Sequence, residues 1–403
     1  MTSTSPKLTA TPDWVRPADR EQHAADVSTA FQECFGTEPA GVWAAPGRVN
    51  LIGEHLDYNG GPVLPIAIGH RTMVAVAHRD DNQMRLRSRQ VRSIWDGSYA
   101  ALRADEMPGW CRYAAGVLWA MTESGQELPG FDVMVDGRVP SGAGLSSSAA
   151  LTCAVAVAVA DLVGMQMEEP QRARALATWC VRAENDFAGA PTGGMDQSVV
   201  LRAEADHGLL LDCSTFDAEQ VPIPDGGDLL VVDTRTHHAL TDGQYGGRRA
   251  ACEAAAVELS VPSLGAITLG ELPSALRRLS TDELRGVVRH VITETARVGE
   301  VVSHLRAGRL LDIGPTLSAS HASMRDDFVI STPELDLVVD AAAKAGAAGA
   351  RMTGGGFGGS AVVVCKPGDR GRIAAAISAR FDEAGCAAPG MLAVEAVGPA
   401  GRV

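Results

Sequence analysis

Four side chains able to do chemistry crowd one turn: within PGRVNLIGEHLDYNGG (46–61), Arg48, Glu54, His55 and Asp57 stand between two apolar runs. An arginine, two carboxylates and a histidine so close together offer several donors and acceptors, which suits a polyhydroxylated ligand better than a phosphate. Solvated loops also carry charges, so it is the combination that points to a site. A second stretch, PSGAGLSSSAAL (140–151), is a glycine-rich turn running into an uncharged helix. Glycines let a backbone pass close to a ligand, and a helix start adds positive dipole, so phosphate is the natural occupant. The lysine of a P-loop is absent, since lysine occurs only at positions 7, 344 and 366. One serine would cap a helix, whereas the run Ser146, Ser147, Ser148 offers hydroxyls and orphan N–H groups together, which suits phosphate with a hard cation such as Mg²⁺.

Two further segments invite a reading. In RMTGGGFGGSAVVVC, Gly354, Gly356 and Gly359 match G-x-G-x-x-G, but SAVVVC is strand-like where a dinucleotide fold needs a helix, which leaves a tight hairpin or a loop lying on a ligand. In AENDFAGAPTGGMDQSVV, Glu184 falls near a helix end and Asp196 follows two glycines, a position where aspartate often serves only as a cap or turn former. The adjacent His237 and His238 point to opposite faces of a strand and argue against a metal pair.

The rest of the chain must position these loops. Its 403 residues suggest two domains, or three, and 46% hydrophobic residues allow ample cores. A net charge of −14 argues against nucleic acid and anionic membrane as partners. Eight cysteines without a C-x-x-C pair read as free buried thiols in a reducing compartment, and the leader MTSTSPKLTATPDW has no apolar region, so a soluble cytoplasmic protein is expected. The longest uncharged apolar run, 149–160, is short of the ~20 residues of a membrane span.

Apolar spacing predicts a helix over 14–35 and strands in GVWAAPGRVNLIG, VLPIAI, TMVAVAHR, MRLRSR and FDVMVDGRV. Helices follow at 111–125, 145–163 and 169–187, the last with Leu176, Cys180, Ala183 and Phe187 on one face. Strands GLLLDCST and DLLVVDTR flank VPIPDGG, taken as the domain boundary. Beyond it come helices at 248–259, 281–306, 333–345 and 370–384, with strands near 350–353, 360–365 and 391–397. The pattern is mixed α+β.

These segments, in this order, resemble the galactokinases, members of the small-molecule (GHMP) kinase superfamily, over nearly the whole chain. GRVNLIGEHLDY resembles the galactokinase signature, PSGAGLSSSAAL the superfamily's phosphate loop, and RMTGGGFGGSAVVV its third motif. FGTEP, AENDFAGAPTGGMDQ, QYGGRRAAC and SHASMRDDF also match. The resemblance implies an α+β fold of two domains, 20–220 and 221–403, with the site between them and the first like domain 2 of ribosomal protein S5, including a left-handed βαβ crossing. It implies an ATP- and Mg²⁺-dependent sugar 1-kinase acting on D-galactose; a monomer is expected.

By the same resemblance, Gly142, Ala143, Gly144, Leu145, Ser146, Ser147 and Ser148 wrap the nucleotide phosphates, Ser148 and Glu184 hold Mg²⁺, and Trp110 packs near the adenine. Glu54, His55 and Asp57 contact sugar hydroxyls, with Gly193 and Tyr245 completing the pocket. Asp196 matches a catalytic base, and Arg48 lies beside it, either activating it or stabilising charge on the moving phosphoryl group. Leu56, Gly60 and Pro62 depart from the family habit HTDYNDGFVLP; Leu56 replaces a small polar residue between two sugar contacts, and Gly194 is expected to loosen the turn before Asp196. Competing readings are a kinase for N-acetylgalactosamine or L-arabinose, and a non-catalytic sugar sensor. The intact GLSSSAA run, with Arg48, Glu184 and Asp196, favours catalysis.

Overall fold

Helix α1 (Arg20–Phe35) opens where Asp19 accepts from the Gln22 N–H and closes at Gly36, whose φ of 76° glycine adopts without strain. The helix expected from residue 14 is therefore shorter, because β1 (Asp13–Trp14) pairs with a strand near the other end of the chain. The computed structural model describes residues 11–237 and 241–403, and gives no side-chain environment for 237–242.

Next come β2 (Gly41–Asn50), β3 (Pro62–Val63), β4 (Pro65–Arg79), β5 (Gln83–Ser88), β6 (Trp95–Ser98), α2 (Gly109–Glu123) and β7 (Gly130–Gly137). They are followed by α3 (Ser147–Leu162), α4 (Gln171–Arg182), a single π-helical turn (Ala183–Ala188), α5 (Met195–Arg202), β8 (His207–Asp212) and β9 (Ala218–Pro222). The second half holds β10 (Asp228–His237), α6 (Thr241–Leu259), α7 (Leu272–Arg278), α8 (Asp282–Arg306), α9 (Gly314–Asp326) and α10 (Pro333–Lys344). It ends with β11 (Gly349–Thr353), β12 (Gly358–Cys365), α11 (Arg370–Glu383), β13 (Gly390–Val394) and β14 (Gly401–Arg402).

The strands form a six-stranded sheet in the order β14-β2-β4-β7-β5-β6, a five-stranded sheet β1-β13-β10-β12-β11, and a small sheet β3-β8-β9. All six-stranded pairings are antiparallel except β5 with β7. The runs at 63–68 and 72–79 lie in β3 and in one long strand, β4, which carries the polar Gly69-His70-Arg71 through its middle. Helix α3 is buried at every position from Ala149 to Ala160. Its alanine and valine side chains are small enough for close approach to the sheet and to α2, α4 and α5, which is why it lacks the polar face of a surface helix. Of the cysteines, Cys34 is exposed and Cys386 half-buried; the other six are buried, and all are free thiols.

The larger core unites the second-half helices and sheet with Val49, Leu51, Ile52 and Leu56 of the signature loop. That loop leaves the first sheet and plugs into the other core. No helix among the described residues is long and apolar enough to cross a membrane.

Candidate active site

Strand β2 pairs with β4 in register from Gly41 with Val76 to Pro46 with Arg71, then slips so that Gly47 faces Ile68. The two extra residues, Gly69 and His70, belong to β4, and the irregularity falls immediately before Arg48; bulges are common beside sites. A Cβ on Gly47 would lie 2.8 Å from both Leu145 O and Val139 Cγ1, so only glycine lets the 140–146 loop rest on the strand. There the Arg48 N–H donates to Leu145 O (3.1 Å). The Arg48 side chain is buried; Nη1 donates to Gly144 O (2.5 Å), while Nε and Nη2 donate to Asp196 Oδ1 and Oδ2 (2.7 and 3.0 Å). This two-point pairing fixes the carboxylate plane as well as its position.

Asp196 sits in the first turn of α5 and does not cap it: the capping position is Gly194. Its remaining partner is Ser146, whose hydroxyl donates to Oδ2 at 2.5 Å. Ser146 adopts φ 60°, ψ 48° ahead of α3 and makes no capping bond, so the reading of this serine as an ordinary cap fails. Gly142 and Gly144 also have positive φ, 77° and 71°. The third glycine segment is a hairpin turn between antiparallel β11 and β12, and it braces the serine loop: Ser360 Oγ donates to Ala143 O (2.7 Å), and Gly354 packs on Gly144.

A cavity of about 240 Å³ opens at this junction, and its lining includes Arg48, Asp196, Ser148, Glu184, Glu54, His55, Asp57 and Tyr245. Gly193 abuts it, and a Cβ there would fall 2.3 Å from Asp57 Oδ2. A neighbouring cavity of about 470 Å³ shares Tyr245 and Gly355 and adds Tyr113 and Phe357. Trp110 lines neither. It stands three residues before Tyr113 on α2 and donates to Ser93 O and Oγ (3.2 and 3.1 Å). Gly142 to Ser147 lie beside the cavity, and of that loop Ser148 alone lines it.

The electrostatics are uneven. Burial, then the neighbouring Asp196 and Glu54, push the Asp57 carboxyl up to about 6. Burial and Asp196 push Glu184 up to about 7, against hydrogen bonds from Gln197, Ser148 and Thr152. Burial, then His290, lower His55 to about 3, so the ring is neutral; Nε2 donates to Gly355 O (3.1 Å) and Nδ1 accepts from Tyr58 (2.7 Å). Both His55 nitrogens therefore have protein partners, which leaves the ring as wall rather than as a sugar ligand in this geometry. Glu54 Oε2 is taken by Asn50 and Arg351, and Oε1 by the Gly354 N–H (2.5 Å). Thr353 Oγ1 lies 3.1 Å from Oε1 and 3.0 Å from Asn50 O, yet carries one hydrogen. Donation to Asn50 O leaves one acceptor position of Glu54 open for a ligand hydroxyl.

Two departures from the family habit are resolved locally. Leu56 is fully buried in the second-half core and does not line the cavity, so it leaves the pocket's polar lining intact. Gly194 does not loosen its turn: at φ 93° glycine is required, and the Phe216 ring, 2.9 Å from where a Cβ would be, fills the space.

Among the described residues no group of three or more His, Cys, Asp or Glu is placed to hold a metal ion; His238 lies outside them. Ser148 and Glu184 nevertheless fit Mg²⁺. A buried acid with a hydroxyl beside it at a cavity wall is the partial oxygen shell that this ion accepts when phosphates complete it.

Residues 29–78 match the family model described as the galactokinase galactose-binding signature, 112–204 the GHMP kinases N terminal domain, and 301–383 the GHMP kinases C terminal. Fold and site together define a GHMP-type small-molecule kinase. The chain belongs to the galactokinase family: it is 48% identical to galactokinase of Streptomyces coelicolor, over 94% of this chain and 98% of that one. It is 42% identical to galactokinase of Mycobacterium tuberculosis, over 85% and 94%. The crystal structure of Lactococcus lactis galactokinase complexed with galactose superposes with a TM-score of 0.88 at 29% identity, covering 94% of this chain and 99% of that one. Mevalonate kinase of Methanococcus jannaschii shares the fold at 14% identity, TM-score 0.65, over 89% and 98%.

Sequence reasoning missed Asn50, Tyr58, His290, Glu294, Arg351 and Thr353, which hold the signature loop. A signal existed: His290 and Glu294 fall on the apolar face of α8, with Val287, Val291 and Val298, and Arg351 lies inside a fully buried strand. Charged residues at core positions ask for partners.

Proposed function

We propose that this chain transfers the γ-phosphoryl group of ATP, with Mg²⁺, to the anomeric hydroxyl of D-galactose, giving galactose 1-phosphate and ADP. The observation that carries the reading is the Arg48–Asp196–Ser146 constellation, set where the signature loop meets the serine loop. Asp196 accepts the proton of the anomeric hydroxyl and orients its oxygen toward the phosphorus. Arg48 keeps N–H groups beyond those spent on Asp196 and Gly144, and these face charge developing on the transferred group. With a loose transition state, such positioning and charge stabilisation contribute more than proton removal. Ser148 and Glu184 would hold Mg²⁺, which would neutralise phosphate charge when bound. Backbone N–H groups of Gly142 to Ser148 cradle the phosphates at the start of α3, the Ser146 hydroxyl being committed to Asp196.

Glu54 and Asp57 accept from sugar hydroxyls in the smaller cavity; Gly193 leaves room for the Asp57 carboxylate, and His55 and Tyr245 wall the pocket. The larger cavity offers the room for the nucleoside, with Tyr113 and Trp110 on the adjoining helix. The division into domains 20–220 and 221–403 is retained, with β14 returning to the first sheet. Eight free thiols support a cytoplasmic setting, and a monomer suffices for a site built from one chain.

The test is ADP release across galactose, 2-deoxygalactose, glucose, N-acetylgalactosamine and L-arabinose, with and without Mg²⁺. Turnover of galactose and 2-deoxygalactose that needs Mg²⁺, with glucose hardly used, is expected. Preference for another sugar, or galactose binding without ADP release, would replace this reading by a related kinase or a sensor.

A further inference from the structure

The signature loop is held from across the molecule. The Gly53 N–H donates to Glu294 Oε1 (3.1 Å) and His290 Nε2 to Glu54 O (3.1 Å), both from α8, while Arg351 on β11 donates from Nη1 to Leu51 O (2.8 Å) and Asn50 O (3.3 Å). Arg351 Nη2 stands 3.2 Å from Glu54 Oε2 and 4.0 Å from Glu294 Oε1. Glu294 also accepts from Ser320 Oγ (2.7 Å) and Arg297 Nη1 (3.0 Å). Arg351 and Glu294 are wholly inaccessible to solvent, and Glu54 nearly so.

Burying a guanidinium and two carboxylates gains little stability, since desolvation offsets most of the attraction; a well-packed apolar trio would serve a core equally well. The guanidinium also leaves its Nε without a partner. What the arrangement does provide is orientation. Arg351 occupies Oε2 of Glu54 and, through the Asn50 and Leu51 carbonyls, fixes the backbone that carries it. With the Thr353 hydroxyl donating to Asn50 O, the acceptor position left on Oε1 is then held at the cavity wall.

We propose that Arg351 is a positioning residue for sugar binding: with Glu294 as its second counter-charge, it sets the rotamer of Glu54 from the C-terminal half, so that sugar affinity depends on a residue that touches no sugar. This rests on the assignment of Glu54 as a sugar contact. Arg351 meets Glu54 as an ion pair and donates charged hydrogen bonds to the Asn50 and Leu51 carbonyls; losing a hydrogen bond of that kind corresponds to a roughly 10- to 100-fold change in a dissociation constant.

The experiment measures galactose and ATP dissociation constants by calorimetry, together with kcat, KM and the melting midpoint, for the intact chain and for Arg351→Met, Arg351→Lys, Glu54→Gln, Glu294→Gln and the Arg351→Met/Glu54→Gln double variant. Expected for Arg351→Met is a galactose Kd and KM raised by about 10- to 100-fold, an unchanged ATP Kd, and kcat at saturating sugar within about threefold. Arg351→Lys should recover part of the loss, and the double variant should bind galactose no worse than the weaker single variant, because Arg351 acts through Glu54. Should Arg351→Met fail to fold, Glu294→Gln carries the test, with a smaller rise in galactose Kd and the same indifference of ATP. A folded Arg351→Met, or failing that Glu294→Gln, with galactose affinity unaltered overturns the proposal, as does full additivity in the double variant or a Glu54→Gln that binds galactose normally. Failure of the galactokinase reading looks different: the unaltered enzyme would release no galactose-dependent ADP.

Discussion

Replacing Asp57 by asparagine should stabilise the ligand-free protein at alkaline pH while impairing it as an enzyme. The acid stands at about 6 in the folded state, against 3.8 for an ordinary aspartate, because burial and then Asp196 disfavour its charged form. A carboxyl raised on folding lends stability that is complete below the unfolded value and is lost as pH climbs through the folded one. At 1.36 kcal/mol per unit, two units correspond to about 3 kcal/mol lost by pH 8, with about half already lost at pH 5. Asp57 is partly exposed, and solvent screening cuts these figures to about 1–2 kcal/mol and half that. Asparagine keeps the shape and removes the charge, so urea unfolding should show the variant more stable than the parent by about 1–2 kcal/mol at pH 8 and by clearly less at pH 5. Galactose kcat/KM should fall meanwhile, because an acceptor oxygen on the cavity wall has become a donor. Equal stability differences at the two pH values would refute the assignment of the shift to Asp57, and a less stable variant at pH 8 would show that its carboxylate holds the loop instead of straining it.

Asp196→Asn should lower kcat by about 10²- to 10⁴-fold while retaining most galactose affinity and folding normally; a large fall in melting temperature with near-normal specific activity of the folded fraction would return Asp196 to a structural role. Glu184→Ala should raise the Mg²⁺ concentration needed for half-maximal rate sharply, read from Mg²⁺ titrations after EDTA treatment, and unchanged dependence would remove Glu184 from the metal. Gly193→Ala sets a methyl against the Asp57 carboxylate, so galactose KM should rise and stability fall by about 1–3 kcal/mol in denaturant melts. Gly194→Val meets both an unfavourable φ of 93° and the Phe216 ring, and should cost a similar 1–3 kcal/mol, measured in the same way.

How much of this was legible in the sequence depended on distance along the chain. Elements with long apolar periodicity, such as α2 and α8, fall within a few residues of where spacing puts them, because side-chain burial on one face is a local pattern; α3, buried all round, was legible from its long uncharged run. Short β6 and β9, and α7 and α9, were not read: the strands are too brief for alternation to register, and α9 is interrupted by serines that bond inside the protein, such as Ser320 to Glu294. Arg48, Asp57, Ser148, Glu184 and Asp196 were each picked out and do meet at one cavity. Their wiring was not legible. His290 reaches Glu54 across 236 positions and Arg351 reaches Asn50 across 301, and nothing in a local window says which carbonyl a buried charge will find.

The distribution of charge in the cavity follows from which carboxylates have a guanidinium and which do not. Asp196 is held at two points by Arg48, and Glu54 has Arg351 behind it; these two are fixed acceptors, oriented before any ligand arrives. Asp57 and Glu184 have no such partner within ion-pair distance among the described residues, and both are pushed up, Asp57 to about 6 and Glu184 to about 7. A fold gains nothing from placing unmatched acids beside Asp196, so their presence is a cost in stability that, on the proposed assignments, ligands offset: hydroxyl donors for Asp57, a cation for Glu184. Substrate and metal should therefore stabilise the protein by more than contact area alone suggests. The gain on adding galactose should be smaller in Asp57→Asn than in the parent, because that variant has already shed the repulsion the sugar would relieve.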